Sequence, residues 1–436
     1  MPRFGRQALL AAGGVVLLGI CFELVRRLGN LKLYVVETIS LGLAAGIAYL
    51  ILLYLFEHSS DDRSAFWMIL AGAVLFRALL LPLPPTLSDD MYRYIWDAKV
   101  QQDGHNPYAL RPDDPSLAHL RDDHYLRVSG RDITALYPPL AEHVFRATYL
   151  VAKGPVAFKL PFVLGDLAVI AMLAAWLRAS GGRNHSLALY AWNPLVIVEF
   201  SASGHFDSLA LALVFAAGLL VARRREAVST ALLTAAALIK AYPVLLLPLW
   251  LRRVWRARPQ RAWTNAAIAA GLAIACAAPY WRAWPTFLLN MRYYESSWIN
   301  NASLAAILDW FSGSHELTVG LGAGVSVGLA LWAAGRRLDS MRAGYLIVGA
   351  VLLLSPNAFS WYFTWIIPFL CFFPNPAWLM LTVLQFFSYH VLIGYQAAGE
   401  WRFDPLFLWL TYGPFFALLL LRRLLPPEVD ESAPPV

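Results

Sequence analysis

Cysteine is scarce in this chain. Cys21, Cys276 and Cys371 are widely separated, and each lies inside an apolar run. No CxxC or His–Cys spacing occurs, so neither a disulfide framework nor a zinc centre is indicated, and the three thiols read as small core residues. Charge is scarce as well: Asp, Glu, Lys and Arg make up 14% of the residues, against roughly 25% in a soluble domain. Nucleotide fingerprints are missing too, because GVVLLG and GLGAG lie within apolar runs and no polar loop follows them. No internal repeat is visible.

What fills the chain instead is hydrophobic. AVILMFWYC account for 59% of the 436 residues, and mean hydropathy is +0.54. That composition excludes a string of soluble domains and defines an all-α polytopic membrane protein. The net charge of +7 does not signal a nucleic-acid partner. The basic residues stand in short clusters at the ends of apolar runs, at Arg223–Arg225, Arg252 to Arg261, Arg336–Arg337 and Arg422–Arg423. Such clusters mark cytoplasmic membrane loops rather than a basic groove.

Apolar spans are expected at 8–25, 35–56, 65–82, 158–177, 186–202, 205–222, 262–279, 316–334, 343–355, 361–373, 376–394 and 405–421. That makes about 12 crossings, several of them short or broken. The run Ala8–Leu24 resembles a signal peptide, but FELVRRL follows in place of a cleavage site, so an uncleaved first span is expected. The charge clusters put the polar loop 83–155 outside, although Arg26, Arg27 and Lys32 argue the other way. The segment 139–152 either crosses or lies along the interface; if it crosses, the Pro194-broken 186–202 does not. Residues 229–251 lie between two clusters that want the same side and are too few to cross twice. A re-entrant pair of half-helices with Lys240 near its apex is therefore expected. The division is one transmembrane domain over 1–422 with its outer loop at 83–155, and a disordered cytoplasmic tail at 423–436.

The outer loop is rich in acid and histidine. Ser88-Asp89-Asp90 opens a helix expected to run to Gly104, with Tyr92, Ile95, Trp96 and Val100 on one face and Arg93, Asp97 and Gln101 directed elsewhere. Two readings of the aspartates stand. They stabilise the helix start through its dipole, or one is a general base and the other orients the hydroxyl or holds Mg²⁺ or Mn²⁺. Further along, Gly204-His205-Phe206-Asp207 is either a helix cap at the interface or a substrate contact. Lys240, deep in ALIKAYPVLLLPLW, needs a partner, either Asp166 or the phosphate of a lipid-linked substrate. Tyr137-Pro138-Pro139, and Trp361, Tyr362 and Trp365 after Ser355-Pro356-Asn357, read as interfacial anchors or as contacts for sugar or prenyl chain. Arg292, on a loop expected outside, opposes the charge bias and reads as a phosphate contact. Asn301-Ala302-Ser303 has the form of a glycosylation sequon.

The series DDMYRYIWD, NPY, YPPL, NP before GHFDSLAL, KAYPVLLLP, and SP before WYFTWIIPFL resembles the GT-C membrane glycosyltransferases. It is most similar to bacterial polyprenol-phosphate-mannose-dependent mannosyltransferases and the catalytic subunit of GPI mannosyltransferase I. The likeness covers residues 65–373; the two leading spans are additional to a minimal module of this type. The resemblance implies a GT-C bundle in a bacterial cytoplasmic membrane, with its catalytic loop outside. It implies transfer of a hexose, commonly mannose, from a polyprenyl-phosphate donor to a lipid or glycan acceptor of the cell envelope, with inversion. By motif position Asp89 is the expected base and Asp90 assists, and both would hold a divalent cation if one is used. The expected substrate contacts are Arg93, Tyr137, His205, Asp207, Lys240, Tyr242 and Arg292. Two rivals are a transporter or flippase of a lipid-linked substrate and a non-catalytic scaffold.

Overall fold

Long apolar runs without water must satisfy their backbone internally, and they do so as helices. The computed structural model describes residues 3–57, 63–336 and 338–424. Most of the expected tail, 425–436, lies outside the described residues. Helix α1 (Arg3–Leu28), α2 (Val35–Glu57) and α3 (Arg63–Leu80) lead into the polar loop, which holds α4 (Asp90–Gln102) and α5 (Pro139–Val151). After it come α6 (Leu160–Ala179), α7 (Asp207–Ala222), α8 (Glu226–Ile239), α9 (Leu247–Ala257), α10 (Pro259–Ala277) and α11 (Trp284–Ser297). The last are α12 (Leu304–Ser312), α13 (His315–Arg336), α14 (Ser340–Leu354), α15 (Pro376–Leu384), α16 (Val391–Ala398) and α17 (Pro405–Leu424). Among the described residues the only extended pairing is a parallel bridge between Asn300 and Asn357.

Seven helical stretches among the described residues are long and apolar enough to cross a membrane, and four shorter apolar helices accompany them. The protein is thus an all-helical, multi-pass membrane protein. The expected span 186–202 is a succession of short turns through the core: Asn184–Leu187, Ala188–Ala191, Pro194–Ile197 and a π-helical turn, Val198–Ser203. Asn193 forces the restart by accepting the Leu195 N–H at 3.0 Å, and Pro194 has no N–H to continue the preceding turn. Likewise 361–373 is a 3₁₀ turn (Ser360–Trp365) and a single helical turn (Ile367–Leu370) around Pro368.

A buried ion pair ties the front of the bundle together. Arg77 at the end of α3 makes paired contacts with Asp166 of α6 at 2.5 and 3.1 Å, and donates to the Ala191 carbonyl at 2.8 Å. Tyr190 Oη also donates to Asp166, at 2.8 Å. Asp166 is therefore not the partner of Lys240: Arg77, with its planar fork of donors, already occupies it.

The polar loop is a packed unit. Helix α4 is buried on all sides, and its polar stripe Arg93, Asp97 and Gln101 points inward rather than to water. Arg93 Nε lies 2.9 and 3.0 Å from the two Asp97 oxygens, and Nη1 and Nη2 donate to the carbonyls of Gly130 and Ile133. Gln101 donates to Glu142 of α5 at 2.9 Å and accepts from Tyr280 at 2.8 Å. A helix covered by its own loop can bury polar groups because each finds a partner there. Asp103 caps α4, and Gly104 follows with φ +85°, as the chain reverses.

Candidate active site

Three elements converge at the N-terminus of α4. The helix is anchored from below by Tyr94, which packs against Tyr137, Phe145, Phe162 and Phe206. Asp89 is the cap residue, but its side chain makes no capping bond; Ser88 Oγ accepts the Asp90 N–H at 3.2 Å instead. Both carboxylates are thereby left for other partners.

The second element is the turn ahead of α7. Its π-helical coil ends at Gly204, which has φ +78° and ψ +41°. A Cβ there would meet Lys159 and Met91 at 2.5 Å, so only glycine fits. Lys159, wholly buried, donates to the carbonyls of Leu83 and Ser201 at 2.7 Å and of Ala202 at 3.2 Å. These bonds supply partners for carbonyls that the π turn leaves open. His205 follows, also buried, its ring stacked on Trp361 at 4.0 Å. Its Nδ1 lies 3.0 Å from Glu199 Oε2, an ion-pair distance without the alignment of a hydrogen bond. Glu199 Oε1 accepts from Ser360 and Tyr389, both at 2.5 Å.

The third element is the break after α8. Lys240 is extended (φ −139°, ψ 137°), and a 3₁₀ turn, Tyr242–Leu246, carries the chain into α9. Lys240 Nζ stands 3.1 and 3.2 Å from the two oxygens of Asp207, the first residue of α7. Trp365 Nε1 donates to Asp207 Oδ1 at 2.7 Å. The ammonium also lies over the rings of Phe206 at 4.8 Å and Tyr362 at 4.7 Å. Such contacts hold a cation in apolar surroundings. Tyr242, Trp365 and Tyr362 form one ladder of parallel rings and His205, Trp361 and Phe359 another. Both faces of Trp361 and Trp365 are taken, so these rings offer only their edges to anything in the cavity.

All three elements open onto one cavity of about 1220 Å³. Asp89, Asp90, Arg93, Tyr137, Lys240 and Tyr242 line it. One wall is apolar, from Val319, Ala323 and Val327 of α13, Val351 and Leu354 of α14, and Val244 and Leu245. The mouth is formed by the loop segment Tyr125 to Thr134, including Arg127 and Arg131. Burial pushes the Asp90 carboxyl above its usual range; His205 and Lys240 act against that push, and Asp89 and Asp207 add to it.

Not every expected residue reaches the cavity in the same way. His205 and Asp207 stand behind its wall, and Asp207 acts on it through Lys240 and Trp365. Arg93 lines the cavity, yet its guanidinium is committed to Asp97 and loop carbonyls. Arg292 projects from α11 into the exposed surface, away from the lining, where Phe287, Met291 and Tyr294 represent that helix. Asn301 is buried and donates to the Ala358 carbonyl and Gln385, so the sequon is closed to modification. Sequence reasoning missed Lys32, whose Nζ lies 2.9 Å from Asp89 Oδ2. It also missed Glu199, although a carboxylate in the apolar run LVIVEF is the same signal that exposed Lys240.

A divalent cation at Asp89 and Asp90 would have to share Asp89 with Lys32. Lys32 already occupies Asp89, and among the described residues no cluster of three His, Cys, Asp or Glu side chains converges.

A multi-pass helical bundle whose first large polar loop presents an acidic pair to a half-apolar cavity is the architecture of a GT-C glycosyltransferase. The comparison with known families is specific. The profile described as "Alpha-(1->6)-mannopyranosyltransferase, N-terminal domain" matches residues 8–257, and the chain belongs to that family. It is 27% identical over 265 residues to alpha-(1->6)-mannopyranosyltransferase A of Corynebacterium glutamicum, covering 56% of this chain and 51% of that protein. It is also 27% identical over 237 residues to the Mycobacterium tuberculosis protein of the same name, covering 52% and 45%. The chain thus spans about half the length of the curated relatives it matches.

Proposed function

We propose that this protein transfers a mannosyl group from a polyprenyl-phosphate donor to a lipid or glycan acceptor on the outer face of a bacterial cytoplasmic membrane, with inversion at the anomeric carbon. The observation that carries the reading is the single cavity: carboxylates and lysines at one end, an apolar wall along the other. A lipid-phosphate sugar has both characters, and its phosphate is a ready leaving group. The prenyl chain lies along α13 and α14. The acceptor hydroxyl gives its proton to a carboxylate of the Asp89–Asp90 pair as its oxygen attacks the anomeric carbon. The bond from that carbon to the phosphate oxygen breaks on the opposite face, and the electron pair leaves with the phosphate. Lys240, with an N–H to spare beyond Asp207, faces the charge that develops there.

The same reading carries a topology. Loop 83–155 faces outward, the basic clusters after α7 and along α9 face the cytoplasm, and α8 and α9 form a re-entrant pair broken at Lys240. No resident cation takes part, because Lys32 neutralises Asp89. EDTA should therefore leave the transfer rate within about twofold of untreated enzyme. Mass spectrometry of envelope glycans and polyprenyl-phosphate sugars in a deletion strain tests the whole reading. A truncated mannan with accumulated donor is expected. Unchanged glycans, with a lipid-linked sugar stranded on the inner leaflet, would support a flippase instead.

A further inference from the structure

We propose that Asp90, not Asp89, is the carboxylate that takes the proton from the acceptor hydroxyl, and that Lys32 holds Asp89 as a fixed ion pair beside it. The inference rests on the transferase reading and assigns roles within it. Four carboxylates stand where the three elements meet; two more, Asp113 and Asp132, line the cavity on its loop segment, Asp113 paired with Arg111 and Asp132 exposed to solvent. Asp207 is held by Lys240 and Trp365, and Glu199 by Ser360, Tyr389 and the ring of His205. Asp89 is held by Lys32. Of the four at the junction, Asp90 alone has no hydrogen-bond or ion-pair partner for its side chain among the described residues, although His205 and Lys240 are close enough to act on its charge. A base needs a free lone pair facing the substrate. The other three are encumbered: Asp89 shares its charge with Lys32 and keeps only Oδ1 clear of it, and Asp207 and Glu199 stand behind the cavity wall.

The Lys32–Asp89 contact is built in rather than incidental. Lys32 stands in the short connector between α1 and α2, which is fastened to the chain just before the acidic pair: the Leu31 N–H donates to Thr86 Oγ1 at 2.9 Å. The Lys32 ammonium lies 5.0 Å from the centre of the Tyr395 ring, and Gln396 donates to its backbone carbonyl. Two elements therefore fix its position, and the ammonium cancels the charge of Asp89 whether or not substrate is present. The leading helices α1 and α2, which the resemblance treats as additions, thus supply a residue of the site.

In the step this implies, the acceptor O–H bond breaks toward Asp90, the new bond from acceptor oxygen to anomeric carbon forms, and the bond to phosphate oxygen breaks. The proton on Asp90 then passes to water as product leaves. Asp89 and Lys32 position and take no proton.

The test compares Asp89→Asn, Asp90→Asn, Asp90→Glu, Lys32→Met and the Lys32→Met/Asp89→Asn pair, each purified to equal monodisperse amounts and assayed in proteoliposomes with a polyprenyl-phosphate mannose donor. Asp90→Asn should lower kcat by about 10³-fold with little change in the donor KM, and Asp90→Glu should recover part of it. Asp89→Asn should lose about tenfold, and the Lys32→Met/Asp89→Asn pair should be no worse than Lys32→Met alone, which strands a carboxylate. A loss in Asp89→Asn equal to or greater than that in Asp90→Asn overturns the assignment while leaving the transferase reading intact. Absence of transfer by the unaltered protein defeats that reading, and the assignment falls with it.

Discussion

An ammonium group deep in an apolar run costs about 2.5–3.5 kcal/mol unless it is paired. Lys240 meets that cost by facing both oxygens of Asp207 under a roof of Phe206 and Tyr362. Lys240→Met should therefore lower stability by about 3–5 kcal/mol as well as abolish transfer, because Asp207 is left as a buried charge with only the Trp365 N–H to face it. Adding Asp207→Asn should restore most of the thermal stability but none of the activity; thermal unfolding and the transfer assay on the same samples check both. Asp90 carries a pH prediction. Its carboxyl is raised by burial, and a base must be ionised, so the rate falls as pH drops through that raised value. The acid limb of kcat/KM should lie above the pH ~4 region of an ordinary aspartate and disappear in Asp90→Asn. Individual charges were legible only in part. Lys240 stood out because its neighbours are apolar, whereas Lys32 lies in a polar connector where a lysine is ordinary. Pairing across distant segments, such as Arg77 with Asp166, is a tertiary fact that local spacing does not encode.

The helices of the polar loop show what periodicity can and cannot say. The helix from the acidic pair to just before Gly104 is where the sequence puts it. Its polar stripe is buried, because α5, the loop carbonyls of Ser129 to Ile133 and Tyr280 close over the face that would otherwise meet water. Inside that hairpin one arginine serves two carboxylates. Arg93 grips Asp97, so Glu142 carries the shared proton: burial, and then the charge of Asp97, raise its carboxyl well above its usual range, with Arg93 acting against them. The folded state then holds a proton that the unfolded chain releases near pH ~4.3. This contribution is present in full below that pH and erodes as pH rises toward the folded value. Glu142→Gln should flatten that slope and cost nothing at neutral pH, whereas Asp97→Asn should cost about 3–5 kcal/mol by stranding Arg93. Thermal unfolding in detergent between pH 4 and pH 8 separates the two. The segment 186–202, expected as a Pro194-broken span or a non-crossing one, is a succession of short turns because Asn193 and Pro194 restart the helix within it.

Across the whole molecule, the order of motif blocks was legible long before their positions in space. The blocks at 89–97, 204–207, 240–243 and 356–365 lie far apart in the chain and meet at one cavity because each sits at a helix end or break. The count of crossings was less legible, since several apolar segments are too short to be separated from buried turns by length alone. Orientation can be measured directly. The three native cysteines are buried, so Leu126→Cys in the outer loop should react with an impermeant maleimide in intact cells, and Arg253→Cys only after permeabilisation. The reverse pattern would invert the topology. The most direct test of the central claim is transfer itself: purified protein in proteoliposomes, given polyprenyl-phosphate [¹⁴C]mannose and a mannoside acceptor, with the linkage resolved by NMR. An α-linked mannosyl product from a β-linked donor, lost in Asp90→Asn, is the predicted result. No product, or a product that retains the donor's anomeric configuration, would contradict it.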